Sequence, residues 1–316
     1  MAEPVQRDQS GRWVGVLLIV LSASGFASLP VFGKLAYASG TEPIALLAWR
    51  FGIAAALMLM ATVVVSWRKG RPLLPPVRVT LTMLMIGAVL LTPEVLLFFV
   101  GLQRVSAGYA ETLLYVYPAW VVIIGAVAFR RRPSAITVAC VIGAVAGAAI
   151  TVGASSGGDP VGSIEVLGAA AIFAVYLVVA SRLIPRAGSL PGTALVLTGA
   201  AGVFVVLAVV TDSRGPGDAG GWFGALGMAL LGTVVAFGLL SVGLGRVSPS
   251  TASVISTLEP LVAVALGVVV LGEGVGPQQV VGMAVILLSV GILLWGESRA
   301  ADNGAAPLVN PFTAVE

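Results

Sequence analysis

Ionisable side chains are rare inside the apolar stretches of this sequence, and each of them could carry chemistry. A charged group at the centre of an apolar membrane helix costs about 2.5–3.5 kcal/mol on insertion scales, so such residues mark ion pairs, proton carriers or ligand contacts. The chain has no histidine and one cysteine, Cys140, so proton chemistry must use carboxylates and a histidine-based catalytic site is excluded. The six residues are Lys34, Arg50, Glu94, Glu111, Glu165 and Glu259.

Four of these residues share one depth. At about 1.5 Å per helical residue, Lys34, Arg50, Glu94 and Glu111 all lie within roughly 5–11 Å of the same side of the apolar layer. Two positive and two negative groups at one level predict a structural ion pair, Arg50–Glu94 or Arg50–Glu111. Direct contact of these groups with a ligand is the alternative, and Lys34 can instead extend to the surface.

Glu259 differs from the other carboxylates because no basic residue lies at its level. Desolvation disfavours the ionised form of a lone carboxylate in such a place. Three roles stay open for it. Glu259 could bind a proton, meet the ammonium group of a ligand, or stay protonated and hydrogen-bonded at the kink made by Pro260.

Four prolines lie inside apolar stretches rather than at their ends: Pro30, Pro93, Pro118 and Pro260. Each removes a helical hydrogen bond and kinks its helix, which frees carbonyl groups that must face protein or a water-filled cavity. The sequence therefore predicts one shared cavity, without a metal or a cofactor. The predicted lining combines Glu94, Glu111 and Glu259 with Ser24, Phe26, Pro30, Phe98, Tyr109, Tyr115, Tyr117, Tyr176, Phe237, Ser241, Ser253, Ser256 and Thr257.

The helices that position these residues are encoded twice. The stretch Gly101–Pro118 is echoed 142 residues later by Gly243–Pro260, with seven of eighteen positions identical. Composition alone gives roughly one or two identities, so the chain is a duplication. In each copy a short basic turn leads into an apolar helix that a proline interrupts. The first copy offers tyrosine rings where the second offers hydroxyl groups.

Composition places these copies in a membrane. Hydrophobic residues make up 58% of the chain and charged residues 10%, and apolar runs of about twenty residues recur along it. We predict an all-α membrane protein with ten transmembrane helices. Because each half holds five, an odd number, the second half must be inverted relative to the first, around a central cavity. The predicted spans are 13–37, 43–66, 79–101, 106–128, 134–153, 161–181, 191–211, 222–243, 250–271 and 277–296.

The basic residues set the expected orientation. With the N-terminus inside, thirteen basic residues lie in inner segments, against Arg104 and Arg214 in outer loops. We expect a bacterial-type inner (plasma) membrane protein, a monomer or weak homodimer in the lipid bilayer. The scattered basic residues lack interleaved aromatics, so a nucleic-acid partner is excluded despite a pI near 9.3. The expected parts are a cytoplasmic tail (1–12), a first five-helix repeat (13–153), a second, inverted repeat (161–296) and a cytoplasmic tail (297–316).

Several motifs resemble those of the drug/metabolite transporter superfamily, specifically its EamA-type members. They are Ser24–Ala36, Trp49–Phe51, the Gly-Leu-x-Arg-Val-Ser turns, Leu258–Pro260 and Leu271–Glu273. The first copy departs from the pattern: Tyr117 stands where the second copy has Glu259, and Arg131 where it has Glu273. The resemblance implies export of small metabolites from the cytoplasm. The tyrosine-rich fourth span is similar to that of YddG-type exporters of aromatic and other neutral amino acids.

The expected function is therefore that of a secondary transporter, not an enzyme. It would export small amphipathic metabolites, with neutral or aromatic amino acids first, by alternating access. No GxxxxGK[ST] loop occurs, so proton exchange or the substrate gradient must supply the energy. The alternatives are another metabolite class (nucleotide, sugar or drug-like), a channel or a lipid flippase. A channel would need rings of like charge or filter carbonyls, and a membrane enzyme would need clustered catalytic groups that this chain lacks.

Overall fold

The computed structural model describes residues 9–70, 72–128, 135–152, 159–244, 246, 255–256 and 258–302, and no strand occurs among them. Each predicted span contains at least one described helix. The helices are α1 Gln9–Ala27, α2 Leu29–Ala38, α3 Pro43–Lys69, α4 Val77–Ile86, α5 Thr92–Gly101, α6 Ala107–Leu114, α7 Tyr117–Ala128, α8 Ala135–Val152, α9 Pro160–Ala187, α10 Ser189–Val210, α11 Ala219–Ala229, α12 Ala236–Leu244, α13 Glu259–Leu271 and α14 Pro277–Asp302. Two π-helical segments, Gly87–Leu91 and Leu230–Val235, join α4 to α5 and α11 to α12.

Length and apolar composition make this a multi-pass membrane protein. Six helical segments of the described chain are long and apolar enough to cross a bilayer. They are Trp13–Ala38, Pro43–Lys69, Val77–Gly101, Pro160–Ala180, Ser189–Val210 and Ala219–Leu240. Three shorter apolar helices accompany them, Ala135–Thr151, Glu259–Leu271 and Pro277–Ile292. The prediction of an all-α membrane protein is confirmed.

Local sequence explains where the helices begin and end. Pro43, Pro160 and Pro277 open α3, α9 and α14, because proline at the first position loses no helical hydrogen bond. Gly70 and Gly272 follow the last residues of α3 and α13 in the left-handed conformation, with φ of 59° and 66°, which favours glycine.

Four spans are interrupted, and a proline lies in the first turn of each helix that follows the interruption. Pro30 follows the break at Ser28, and Pro93 follows the first π-helical segment. Pro118 is the second residue of α7, after the break between α6 and α7, and Pro260 is the second residue of α13. These are the four positions at which the sequence predicts kinks.

The helices pack in pairs that join the two halves of the chain. The helix α3 packs along α10, and α8 packs along α14. Likewise α1 packs against α12, α5 against α9, and α6 against α13. In the last pair an added Cβ at Gly108, in the first echoed stretch, would lie 2.8 Å from Val264 Cα, four residues beyond the second. Only a residue without a side chain permits so close an approach.

One end of this bundle is tied together by contacts between loops. The backbone N–H of Glu42 donates to the carbonyl of Arg214 at 2.9 Å, joining the segments 39–42 and 211–218. The segments 102–106 and 272–276 meet where the carboxylate of Glu273 accepts hydrogen bonds from the N–H of Ala107. We call this end of the bundle the Glu273 end.

Candidate functional site

The break between α6 and α7 brings four aromatic rings together. Tyr115, the residue after the end of α6, meets Tyr117 edge to face at a centroid distance of 5.7 Å. Tyr117 in turn meets Phe173 edge to face at 4.9 Å, and Phe173 stacks on Tyr176 at 6.0 Å. Phe173 and Tyr176 lie near the middle of the 28-residue helix α9. The rings therefore form a continuous apolar surface from the interrupted span to the centre of a neighbouring helix.

Two carboxylates border these rings. The hydroxyl of Tyr115 lies 3.0 Å from Glu259 Oε2, at the start of α13, and also contacts the backbone carbonyl of Ser256. Glu111 is 5% exposed, its carboxylate has no hydrogen bond to another described residue, and it lies close enough to Glu259 for the two groups to interact electrostatically. We call this group the aromatic–carboxylate cluster: Glu111, Tyr115, Tyr117, Phe173, Tyr176 and Glu259.

Arg50 does not form the predicted ion pair. Among the described residues the one ion pair shorter than 4 Å joins Arg104 Nε to Glu165 Oε2, at 3.6 Å. Arg50 instead donates from Nε to Thr233 Oγ1 at 3.1 Å, and its guanidinium carbon lies 4.8 and 5.5 Å from two phenylalanine ring centroids, those of Phe51 and Phe99.

The expected direct contact of Arg50 with Glu94 or Glu111 is therefore wrong for this structure. Thr233 belongs to the π-helical segment Leu230–Val235, and its hydroxyl donates to the carbonyl of Met228 while accepting from Arg50. The hydroxyl and the two aromatic faces together hold the guanidinium. Arg50 and Glu94 still interact electrostatically at longer range.

Other predicted lining residues take part in helix packing. Tyr109 is fully buried at the Glu273 end, where its hydroxyl lies 3.0 Å from that of Ser163. Phe98 is 5% exposed and packs edge to face on Phe99. The structure therefore places Tyr109 and Phe98 in packed helix interfaces rather than in the aromatic–carboxylate cluster.

The predicted residues of α1 lie against α12 or bond within their own helix. Phe26 packs edge to face on Phe237 at 5.0 Å, and the hydroxyl of Ser24 donates to the carbonyl of Val20. Pro30 is buried in α2. Ser253 and Thr257 lie outside the described residues, and so do the side chains of Ser241 and Pro118.

The contacts of three residues were not predicted from the sequence. Phe173 completes the row of rings, and its spacing of three residues from Tyr176 on α9 was a usable signal. Thr233 receives Arg50, a pairing that no local pattern indicates. Glu273 belongs to a motif that carried the resemblance, but its contact was not predicted: both of its oxygens accept from the N–H of Ala107, at 2.9 and 3.0 Å. A carboxylate in this place satisfies the free N–H and the positive end of α6.

Comparison with known proteins identifies the family. The sequence profile of the EamA-like transporter family matches residues 13–153 and 161–295. This chain belongs to the EamA-like transporter family. It is 26% identical over 285 residues to a protein of Bacillus subtilis (strain 168) described as uncharacterized transporter YcbK, covering 85% of this chain and 88% of that one.

The fold of this EamA-like transporter also matches a solved structure. The crystal structure of another protein superposes with a TM-score of 0.62 at 18% identity, covering 92% of this chain and 98% of that one. At that identity the likeness shows the fold alone. Family membership makes the chain a multi-pass membrane transporter, and the family profile matches the chain in two separate intervals.

Proposed function

We propose that this EamA-like protein exports small amphipathic metabolites, above all neutral and aromatic amino acids, by alternating access. The observation that carries the proposal is the aromatic–carboxylate cluster. Its rings offer an apolar surface for a substrate side chain, and the carboxylates of Glu111 and Glu259 offer acceptors for a substrate ammonium group. Lying beside helix interruptions in the middle of the bundle, the cluster has the position typical of secondary transporters.

Alternating access needs two units that can move against each other. Three features support two inverted five-helix repeats: the family profile matches the chain twice, the main helix pairs each join one half to the other, and both halves carry a π-helical segment. In that arrangement the segments Gly87–Leu91 and Leu230–Val235 occupy nearly equivalent positions in the two repeats. Two similar units around a central site can expose it to one side at a time.

The contacts at the Glu273 end fit a state closed on that side. Glu273 holds the start of α6, Tyr109 holds Ser163 of α9, and Arg104 pairs with Glu165 of α9. With both termini cytoplasmic, as the positive-inside rule predicts, this end faces outward. Release of substrate to the outside then requires α6 to separate from α9 and α13.

Counterflow in proteoliposomes tests the proposal. Vesicles carrying the purified protein and loaded with unlabelled L-phenylalanine should accumulate labelled L-phenylalanine with saturable kinetics, and external leucine should compete while glutamate, a sugar and a nucleoside should not. Tyr117→Ala should weaken apparent affinity about 2–10-fold, because an aromatic pair contributes about 0.5–1.5 kcal/mol. Phe223→Ala, at a ring that is 61% exposed on the bundle surface, is the control and should leave affinity unchanged.

Other outcomes identify the competing functions. Counterflow of the sugar or the nucleoside without that of amino acids would assign another metabolite class. Ion conductance that rises linearly with concentration would indicate a channel. Lipid movement between leaflets without counterflow would indicate a flippase.

A further inference from the structure

We infer that Glu259 binds a proton which the ammonium group of the substrate displaces, so that export is driven by proton entry. The inference rests on the proposed function, since it assumes an amine-bearing substrate in the aromatic–carboxylate cluster. It adds the source of energy, and it assigns the coupling site to one residue.

The hydrogen bonds of Tyr115 bear on the protonation state of Glu259. Its hydroxyl contacts both the backbone carbonyl of Ser256 and the carboxyl oxygen of Glu259. A phenol carries one hydrogen and can donate it once, whereas a carbonyl and an ionised carboxylate can only accept. With an ionised Glu259 the two acceptors would have to share that single hydrogen. A protonated Glu259 can donate to the Tyr115 oxygen while Tyr115 donates to Ser256, so that each contact is a full hydrogen bond, and the arrangement fits the protonated state.

The described groups that face Glu259 carry no positive charge. Of the neighbours of α13, α6 presents Glu111 and Tyr115, and Tyr117 at the start of α7 also faces it; none of these groups can supply positive charge. From Trp13 to its end, α1 has no titratable side chain. On α2, Lys34 interacts with Glu273, at the opposite end of α13. An ionised Glu259 would thus lie half-buried with no cation beside it among the described residues, which is costly unless a proton or a ligand cation compensates it.

The ammonium group of a substrate can take the place of the proton on Glu259. An ammonium group has three N–H donors, enough to serve Glu259 and Glu111 together. When it binds, the carboxylic acid of Glu259 loses its proton to water, and the ammonium pairs with the resulting carboxylate. No covalent bond of the substrate changes. For a zwitterionic amino acid, one proton entering per molecule exported moves one positive charge inward.

The exchange also alters the contact between spans four and nine. Once Glu259 is ionised, its charge makes it a stronger acceptor than the carbonyl of Ser256. The single hydrogen of Tyr115 is then drawn to the carboxylate or freed by the substrate, and the Tyr115–Ser256 bond is lost. Proton loss and release of a contact between the two halves are thereby the same event.

Two transport assays on one variant separate coupling from transport. In proteoliposomes loaded with labelled L-phenylalanine, an acidic outside should accelerate efflux by the wild-type protein several-fold over equal pH. Glu259→Gln keeps a hydrogen-bonding side chain but cannot exchange a proton. Because the variant also loses the carboxylate that pairs with the ammonium, counterflow at equal pH should fall several-fold, and the counterflow that remains should show no acceleration by an acidic outside. Asp212→Asn is the matched control, at an exposed carboxylate of the segment 211–218 that lies outside the cluster, and it should keep both activities.

A direct measurement on the wild-type protein makes the test independent of any variant. Adding L-phenylalanine to purified protein in weakly buffered detergent solution should release close to one proton for each molecule bound, as followed with a pH indicator. Wild-type counterflow without proton release and without a response to the pH gradient would overturn the inference but leave the proposed function standing. Absence of counterflow for every amino acid would instead overturn the proposed function. Acceleration that persists in Glu259→Gln would assign the proton to another residue.

Discussion

The two copies of the repeated stretch share a sequence pattern but carry different side chains. Both have the motif Gly-Leu-x-Arg-Val-Ser and end on a proline, which is the second residue of a helix in each, α7 and α13. At the residue before that proline the first copy has Tyr117 and the second has Glu259. Across the interface Tyr115 of the first copy contacts Glu259 of the second, at 3.0 Å. The two copies thus have a proline at equivalent positions, and side chains that differ between the copies meet beside these prolines.

The two π-helical segments show the same relation. In each, a threonine hydroxyl donates to the carbonyl five residues earlier: Thr92 to Gly87 at 3.0 Å, and Thr233 to Met228 at 2.9 Å. In the widened turn of the first segment the carbonyl of Gly87 also accepts from the backbone N–H of Thr92. Only Thr233 has a second task, as acceptor for Arg50. Matched substitutions in the two copies can therefore distinguish contacts that both copies make from contacts that one copy makes alone.

The largest difference should come from the glycines that open the two copies. An added Cβ at Gly101 would lie 2.9 Å from the backbone oxygen of Gly162, so α9 itself would have to move. At Gly243 the nearest atoms belong to the end of the Ile19 side chain, which can rotate away. We expect Gly101→Ala to destabilise the protein by about 2–3 kcal/mol and Gly243→Ala by about 1 kcal/mol. Steric-trapping measurements in detergent micelles would check this, and equal losses would contradict the contacts described.

The two threonines should differ next. Thr233→Val removes a hydroxyl that serves both the π-helical segment and the buried guanidinium of Arg50, so a charged donor loses its acceptor. We expect a loss of about 2 kcal/mol, against about 1 kcal/mol for Thr92→Val, in which one hydroxyl–carbonyl bond is lost. Thermal unfolding of both variants, with Thr82→Val at an exposed threonine as control, measures the difference. A larger loss for Thr92→Val would show that Arg50 does not depend on Thr233.

The hydroxyls of Tyr115 and Tyr117 offer a finer test of how the copies meet. Tyr115→Phe deletes the group that contacts both Ser256 and Glu259, and we expect it to cost about 1–2 kcal/mol. The hydroxyl of Tyr117 has no hydrogen bond to a described residue, whereas its ring lies between Tyr115 and Phe173. Tyr117→Phe should therefore change stability by less than about 0.5 kcal/mol. Thermal unfolding of Tyr115→Phe and Tyr117→Phe measures this difference in stability.

The smallest effects belong to the arginines of the two turns. Arg104 pairs with Glu165 at 3.6 Å and is 48% exposed, and its counterpart Arg246 donates to the carbonyl of Val242 on its own chain segment. Exposed ion pairs contribute about 0.2–1 kcal/mol and weaken with salt. We expect Arg104→Gln to cost under about 0.5 kcal/mol at low salt and nothing measurable at 1 M salt. Arg246→Gln should show no salt dependence, and a salt-dependent loss there would reveal a charged partner.

The features predicted correctly from the sequence are those that a local property of the chain decides. Each of the four interior prolines predicted an interruption, because a missing N–H acts wherever the residue lies. The sequence predicts Tyr115, Tyr117, Tyr176, Glu111 and Glu259 as lining residues, and the structure brings them together in the aromatic–carboxylate cluster. Phe173 is not among the predicted residues, since a phenylalanine in an apolar helix usually contacts lipid or the core. Tyr109 was misplaced for a related reason: its proximity to Ser163 depends on how α6 meets α9.

The sequence by itself determined the membrane setting, the duplication and the places where helices break. Those follow from the length of apolar runs, from repeated residues and from proline chemistry, none of which needs a partner. Which polar groups meet was decided by the tertiary structure. Arg50 and Thr233 are 183 residues apart, and one residue added in a π-helical turn rotates everything beyond it by about 100°. The neighbour that a side chain contacts therefore depends on how the helices pack.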